Sequence, residues 1–316
     1  MKKKIAILGS TGSIGKTLVE ILKKNKKDYE ILLLTAEKSH KTLLKQAVEF
    51  NVKNLIITNK NSFETLKEKT KYIKINVFNN YKKFNKIFRK KVDYSMSSIS
   101  GIAGLEPTIK IIKFTKKIAI ANKESIICGW NLIQKELKKN KTEFIPVDSE
   151  HFSLWYGLQN LGISNIEKIF ITASGGPFYK TKLKDFKKIT VPQALQHPNW
   201  KMGKKISTDS ATLINKVYEV IEAKNIFNID YNKIEILVHP KSYVHAILKF
   251  NNGLTKMIIH DTTMKIPIYN TLFFNNDKKI KSKKINLDLL NNLNFKKVSS
   301  NRFPMVKLLN FLKKKN

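Results

Sequence analysis

Short apolar runs bounded by lysine, asparagine and glycine recur along this chain, and between them apolar residues fall at helical spacing. Residues 4–8 form the first run, which Gly9 ends, and residues 16–23 place Leu18, Val19, Ile21 and Leu22 on one helical face. The pattern then predicts a strand over 29–35, a helix over 43–50 and a strand over 54–58. Residues 59–91 read as helix, short strand and helix. Residues 92–100 (V-D-Y-S-M-S-S-I-S) run into a small-residue loop, Gly101-Ile102-Ala103-Gly104, which is followed by a helix over 109–114 and a strand over 117–121. A lysine-rich segment, 135–143, precedes the short apolar step Phe144-Ile145 and then Pro146-Val147-Asp148-Ser149-Glu150-His151.

The second half carries a helix over 152–161, whose aromatics Trp155 and Tyr156 are expected in the core, and a strand over 166–172. A helix starts near 206 and a strand covers 234–238. Residues 246–250 and 254–260 flank Asn251-Asn252-Gly253 as a hairpin that adds antiparallel strands to a second sheet. Residues 277–284 read as a charged linker, and 286–316 are polar with a closing helix at 306–312. Alternating strands and helices predict an α/β chain. Its first domain, 1–145, is a Rossmann-like parallel sheet; its second, 146–276, is an α/β domain with the hairpin; 277–316 is a linker and terminal segment.

Composition narrows the class. Of 316 residues, 42% are hydrophobic, enough for buried cores. No apolar run approaches the roughly 18–20 residues that span a bilayer. The lysines after Met1 lead into only Ile5-Ala6-Ile7-Leu8 before Gly9, a first strand and not a signal peptide. The lone Cys128 rules out a disulfide framework and reads as a buried small hydrophobe. A cytoplasmic protein is expected. The net charge of +36 raises nucleic-acid binding, but the lysines are scattered and Arg89 and Arg302 are the only arginines. Neither nucleic acid nor membrane is expected as a partner; attraction for small anions is a side effect.

Several motifs carry chemistry. Gly9-Ser10-Thr11-Gly12-Ser13-Ile14-Gly15 lies between a strand and a helix, where glycines admit a pyrophosphate to free N–H groups; a plain tight turn is the alternative. Glu37 and Lys38 end the next strand, where an acid favours a 2′-hydroxyl and a cation a 2′-phosphate, so the pair leaves NAD or NADP open. Asn122-Lys123-Glu124-Ser125 stands at a strand end, as ligand groups or as a polar helix cap.

In Pro146 to His151 an extended backbone would aim Asp148 and Glu150 to one side. Converging carboxylates need a cation or a proton between them; a solvated acidic turn competes. Ser174-Gly175-Gly176 at a strand end offers a hydroxyl and open N–H groups to an anion. His197-Pro198-Asn199-Trp200-Lys201-Met202-Gly203 reads as a mobile loop whose aromatic closes over a ligand. Asn215 and Glu219 share one helical face; Ser210, Asn215 and Lys216 could hold a phosphate, and Glu219 could be a third carboxylate. Helix-surface polarity is the plain alternative for each.

Taken together in this order, the blocks 9–15, 121–125, 146–151, 173–178, 197–203, 209–219 and 239–242 resemble one family, 1-deoxy-D-xylulose 5-phosphate reductoisomerase, over nearly the whole chain. The resemblance implies a divalent cation (Mg²⁺, Mn²⁺ or Co²⁺) on Asp148, Glu150 and Glu219. It implies substrate contacts from Lys123, Ser149, Glu150, Ser174, His197, Trp200, Ser210, Asn215, Lys216 and Glu219, with Lys123, Asp148, Glu150 and Glu219 in catalysis. Thr11, Gly12, Ser13, Ile14, Lys38, Ser39, Asn122, Glu124 and Gly203 are implied to contact NADPH, with Trp200 and Met202 in a lid. The implied reaction converts a sugar phosphate, 1-deoxy-D-xylulose 5-phosphate, to 2-C-methyl-D-erythritol 4-phosphate for isoprenoid precursors, in a homodimer. Two departures stand out. Glu37 replaces a usual glycine, and the chain ends where the family continues into a C-terminal helical domain, so that domain is expected to be missing. The rival readings are a semialdehyde-dehydrogenase-type Rossmann reductase, which needs a catalytic cysteine, and a lysine-rich nucleic-acid-binding module.

Overall fold

The order of the strands decides where a ligand can bind in the first half of the chain. The computed structural model describes residues 2–200, 202–274 and 278–314, so Lys201 of the 197–203 motif, Asp277 of the charged linker and the last two residues lie outside the described residues. The chain divides into two units, Met1–Val147 with Pro267–Asp277, and Asp148–Ile266 with Lys278–Asn316. The stretch from Pro267, which the sequence reading assigns to the second domain, groups with the first.

In the first unit, β1 (Lys3–Leu8), β2 (Tyr29–Ala36), β3 (Asn54–Ile57), β4 (Asn76–Phe78), β5 (Val92–Ser97), β6 (Thr115–Ile120) and β7 (Glu143–Pro146) form one sheet ordered β4-β3-β2-β1-β5-β6-β7. All neighbours are parallel. Ile5, Ala6, Ile7 and Leu8 are fully buried. A parallel strand covered on both faces has no polar side, which explains the uninterrupted apolar run. The chain winds outward from β1 to β4, then returns to lay β5 on the other side of β1. The carboxyl ends of β1 and β5 thus flank the switch point at which open α/β sheets bind ligands. From the returning segment, Thr271 Oγ1 meets Tyr94 Oη at 2.8 Å and Phe273 packs edge-on to Tyr29.

In the second unit, β8 (Ile166–Ala173), β9 (Ile234–Val238), β10 (Val244–Phe250), β11 (Thr255–Ile259) and β12 (Lys296–Lys297) form a mixed sheet ordered β11-β10-β8-β9-β12. Only the β8–β9 pairing is parallel; β10 lies antiparallel to both β8 and β11. The hairpin turns at Gly253, whose φ of 84° explains the glycine. Leu154, Ile169, Ile171, Val217, Val220 and Leu248 build the core beneath it. The helices Ser149–Gly157 and Ile214–Phe227 therefore bury one face each against this sheet.

The structure corrects two expectations about side chains. Cys128 is exposed. The helix Lys123–Asn140 buries Ile126, Gly129, Ile133 and Leu137, and at about 100° per residue Cys128 falls on the opposite side from Ile126. Tyr156 is also exposed, whereas Phe152 of the same helix is in the core. Among the described residues no helix is long and apolar enough to cross a membrane.

In the second unit the imidazoles of His245 and His260 stack with centroids 3.6 Å apart. Burial holds His245 well below the ordinary histidine range, with His260 adding to it. Burial likewise lowers His260 to about 4, with Asp261 working against it. A histidine whose folded value lies below its unfolded one, near 6.5, contributes its full stability above pH 6.5 and loses it as pH falls toward 4. The melting temperature, followed by circular dichroism, should accordingly drop between pH 6.5 and 4. His260→Gln should flatten that drop, and an unchanged slope would disprove the assignment.

Candidate active site

In the first unit the glycine turn follows β1. Gly9 has φ +83°, and a Cβ there would lie 2.7 Å from the carbonyl oxygen of Ser98, in the loop after β5. A Cβ on Gly15 would lie 2.3 Å from the carbonyl of Gly9, so the helix Ser13–Lys24 seats directly on the turn. Gly12 is its N-cap and brings no side chain to its opening N–H groups. Thr11, Gly12, Ser13 and Ile14 therefore gather at one helix N-terminus, at the carboxyl end of β1. Lys38 and Ser39 are exposed just past β2, and Lys38 Nζ lies 3.5 Å from Glu37 Oε1. Asn122 behaves as the cap reading expects: its Oδ1 accepts from Ser125 N at 2.8 Å, and its amide donates to the carbonyls of Ile99 and Gly101. This pins the loop after β5. Lys123 and Glu124 open the helix behind it, Lys123 buried. Gly203 belongs to the second unit, where it caps the helix Lys204–Ala211.

In the second unit the acidic residues converge, but not as an extended chain. Asp148 is the N-cap of the helix Ser149–Gly157 and Glu150 lies in its first turn. Asp148 spends no side-chain bond on capping, so the turn of the helix, not strand alternation, brings the two carboxylates round. The helix N-terminus favours their charge. Ser149 Oγ donates to Glu150 Oε2 at 2.6 Å.

Glu219 arrives on the helix Ile214–Phe227. That helix is separated from Lys204–Ala211 by Leu213, a non-glycine residue with φ 58°. The sequence predicts one continuous helix there; the left-handed residue redirects the chain so that Asn215, Lys216 and Glu219 all point inward and are buried. Ligand oxygens of Asp148, Glu150 and Glu219 all lie within 4.8 Å of one another. Lys216 Nζ bonds Glu219 Oε2 at 2.7 Å and also Glu150 Oε1; Asn215 donates to Glu219 Oε1.

The electrostatics of this cluster suit a cation. Burial, then Glu219, and more weakly Asp148, hold the Glu150 carboxyl well above the usual carboxylate range, against the opposing pull of Lys216. Burial alone would lower Lys216, but Glu150 and Glu219 raise it above its ordinary value, so the ammonium stays charged. The carboxylates gathered here outnumber the one ammonium of Lys216, an excess that a divalent ion with hard oxygen ligands would balance. Bonds of about 2.0–2.6 Å let ligand oxygens of such an ion lie up to about 5 Å apart, so three oxygens within 4.8 Å of one another can share one ion.

Donors for an anion lie in the same unit. His197 Nδ1 accepts from the backbone N–H groups of Asn199 and Trp200 at 3.2 and 3.0 Å. The ring proton is therefore on Nε2, which donates to Ser174 Oγ at 2.9 Å. Ser174 Oγ also accepts from Gly176 N at 3.0 Å, and its own proton is left to point at a ligand. Burial, and then Lys216, lower His197 to about 4, so it is neutral at physiological pH. Gly176 has φ +68°, and a Cβ there would meet the carbonyl of Ser210 at 2.6 Å; the Ser174 loop thus sits directly against buried Ser210. Asn199 Nδ2 donates to Ser242 Oγ at 2.9 Å and to the Pro240 carbonyl, and Trp200 lies edge-on to His245. The 197–200 loop is thereby anchored to the segment before β10.

Two participants carry no role in the sequence reading. His151 Nε2 lies 2.8 Å from the Glu219 carbonyl, and His151 Nδ1 lies 3.3 Å from Glu222 Oε2. The signal for Glu222 is its spacing, one turn after Glu219.

Comparison with known proteins agrees with this arrangement. A family model for 1-deoxy-D-xylulose 5-phosphate reductoisomerase matches residues 5–129, and one for the C-terminal domain of that enzyme matches residues 144–227. The chain is 61% identical over 312 residues to the 1-deoxy-D-xylulose 5-phosphate reductoisomerase of Pelagibacter ubique (strain HTCC1062), covering 98% of this chain and 80% of that one. Among solved structures, the Zymomonas mobilis reductoisomerase in complex with NADPH superposes with a TM-score of 0.88 at 31% identity, covering 100% of this chain and 82% of that one. A DOX-P reductoisomerase in complex with NADPH, fosmidomycin and magnesium gives 0.90 at 30% identity, covering 99% and 80%. With the fold and the sequence in agreement, the chain belongs to the 1-deoxy-D-xylulose 5-phosphate reductoisomerase family.

Proposed function

We propose that this chain isomerises 1-deoxy-D-xylulose 5-phosphate and reduces the product with NADPH to 2-C-methyl-D-erythritol 4-phosphate, in the pathway to isoprenoid precursors. The observation that carries the reading is the buried trio Asp148, Glu150 and Glu219, in a chain of this family. Those three hold the divalent cation. When bound there, the cation would supply Lewis acidity for the rearrangement of the sugar phosphate, and NADPH would supply the hydride.

The protein's own groups bind and orient. The Ser174 hydroxyl, fixed by His197 and Gly176, donates to the substrate phosphate, with Ser210, Asn215 and the charge of Lys216 beside it. Ser149 steadies Glu150 through its 2.6 Å bond and faces the bound substrate. Trp200 and Met202 shield the site from water, which strengthens every polar contact within it. In the first unit Thr11, Gly12, Ser13 and Ile14 receive the pyrophosphate, Lys38 and Ser39 the 2′-phosphate, and Asn122 and Glu124 the cofactor beyond; Lys123 serves substrate and catalysis. Gly203 contributes a cofactor contact from its own unit.

The same reading places the enzyme in the cytoplasm as a homodimer. β11 is a sheet edge, with Leu254 and Met257 exposed beside it, and an apolar edge of this kind suits pairing with a second copy. The nucleic-acid and semialdehyde-dehydrogenase alternatives find no support: Cys128 is in the first unit and makes no part of either cluster.

NADPH oxidation should require 1-deoxy-D-xylulose 5-phosphate, vanish with EDTA and return with Mg²⁺ or Mn²⁺. Glu150→Gln and Glu219→Gln should each lower kcat/KM at least about 100-fold; wild-type rates in either would refute the cation assignment. Fosmidomycin should inhibit only with the divalent cation present, since its hydroxamate chelates the metal.

A second measurement concerns Glu37. NADPH should exceed NADH in kcat/KM, because Lys38 attracts the 2′-phosphate. Glu37→Gly should widen the preference several-fold by removing a like charge. NADH equal to or better than NADPH would contradict the role of Lys38.

A further inference from the structure

We propose that His151 is a positioning residue for the cation site, locking the helix that carries Glu219 to the helix that carries Asp148 and Glu150. The inference rests on the cation reading above and adds a residue to it. His151 follows Glu150 directly and is fully buried, as is Glu222 to within 1%. Its ring reaches across to the helix Ile214–Phe227 at two heights. Nε2 donates to the Glu219 backbone carbonyl at 2.8 Å, and Nδ1 faces Glu222 Oε2 at 3.3 Å, one turn further along.

A carbonyl inside a helix already accepts one backbone bond and has a second lone pair to offer. His151 uses it on the residue whose side chain is the third carboxylate. One flat, two-torsion side chain therefore ties the backbone at Glu219 to the helix that carries Asp148 and Glu150. Flexible side chains could make the same bonds but would not hold them to one geometry. The placement matters because three oxygens on two separate helices must meet at one point, and groups behind metal ligands typically govern affinity 10–100-fold. Asp148, His151 and Glu222 also have ligand atoms within 4.8 Å of one another, so the ring packs directly beside the carboxylate cluster.

Glutamine at this position can place its amide N–H where Nε2 stands, whereas leucine removes both contacts at similar bulk. The test is Mn²⁺ binding to the full chain, with neither substrate nor cofactor, read from the electron paramagnetic resonance signal of free Mn²⁺, alongside melting temperature. His151→Leu should weaken Mn²⁺ about 10–100-fold, and His151→Gln should recover most of that loss. His151→Asn, a milder change whose shorter amide stops at the Nδ1 position and does not reach the Glu219 carbonyl, should weaken Mn²⁺ several-fold and serves where His151→Leu fails to fold. Wild-type Mn²⁺ affinity in His151→Asn, or in a folded His151→Leu that merely melts earlier, would overturn the proposal. So would a second bound Mn²⁺ lost on changing His151, which would make it a ligand. A wild-type chain that binds no Mn²⁺, or an Asp148→Asn chain that binds it normally, would instead overturn the cation reading and this proposal with it.

Discussion

Like charges gathered away from water are the constraint around which the second unit is built. Two carboxylates about 4 Å apart repel by about 4 kcal/mol even at an effective dielectric constant near 20. Asp148, Glu150 and Glu219 are kept together although Glu150 and Glu219 are each under a tenth exposed. The surrounding structure offsets that cost at several points. The N-terminus of Ser149–Gly157 lies under two of the carboxylates, Lys216 bonds to two, and Ser149 and Asn215 each donate to one. Of these groups, Lys216 and Asn215 reach the carboxylates only because the chain breaks at Leu213. A continuous helix through 212–214 would carry residues 215–219 round by a different angle, and a buried Leu213 with φ 58° is a conformation that costs a non-glycine residue of the order of 1–2 kcal/mol. The strain is local; the carboxylate geometry it permits is the centre of the unit.

Much of the architecture is legible in the sequence, because burial on both faces leaves a strand no polar side. Residues 5–8 could be placed for that reason, and the hairpin at Asn251-Asn252-Gly253 from its turn chemistry. What failed was local backbone direction. Asp148 and Glu150 were expected to converge by strand alternation; they converge because Asp148 caps a helix and Glu150 sits in its first turn. The result is the same pair, reached through a different geometry, since apolar Phe144-Ile145 marks a strand but not where it ends. Leu213 gave no warning, because left-handed backbone is signalled by glycine or asparagine, not by leucine. Cys128 was misplaced because an apolar neighbourhood in sequence says nothing about helical phase. The His151–Glu222 contact was invisible for a further reason: it joins two helices, and only tertiary packing brings them together.

The first unit poses a different problem, in which the fold is clear and the selectivity is not. Gly9 and Gly15 are demanded by approaches of 2.7 and 2.3 Å that no side chain tolerates, so the turn at the head of β1 follows from sterics. In the function proposed above, the discrimination between nicotinamide cofactors would instead fall to Glu37 and Lys38, both well exposed and 3.5 Å apart. An exposed pair of this kind is worth at most about 1 kcal/mol, so the two side chains remain able to act separately on a 2′-phosphate. Attraction by Lys38 survives because an ammonium can bond the phosphate directly, whereas Glu37 opposes it only through space.

The excess of lysine now reads as a background field. A net +36 draws phosphorylated molecules toward the surface, but exposed charges are screened beyond about 8–10 Å at physiological ionic strength, and such a field does not tell one anion from another. Selection needs donors whose direction is fixed. Ser174 has one: its oxygen is occupied by His197 Nε2–H and Gly176 N–H, which leaves its proton a single role. Lys216 has a second, being buried and tied to two carboxylates. The abundant surface lysines thus bear on how often an anion arrives, and a few buried groups on which one is held. That is why the charge balance, the most conspicuous number in this sequence, carries little information about the reaction.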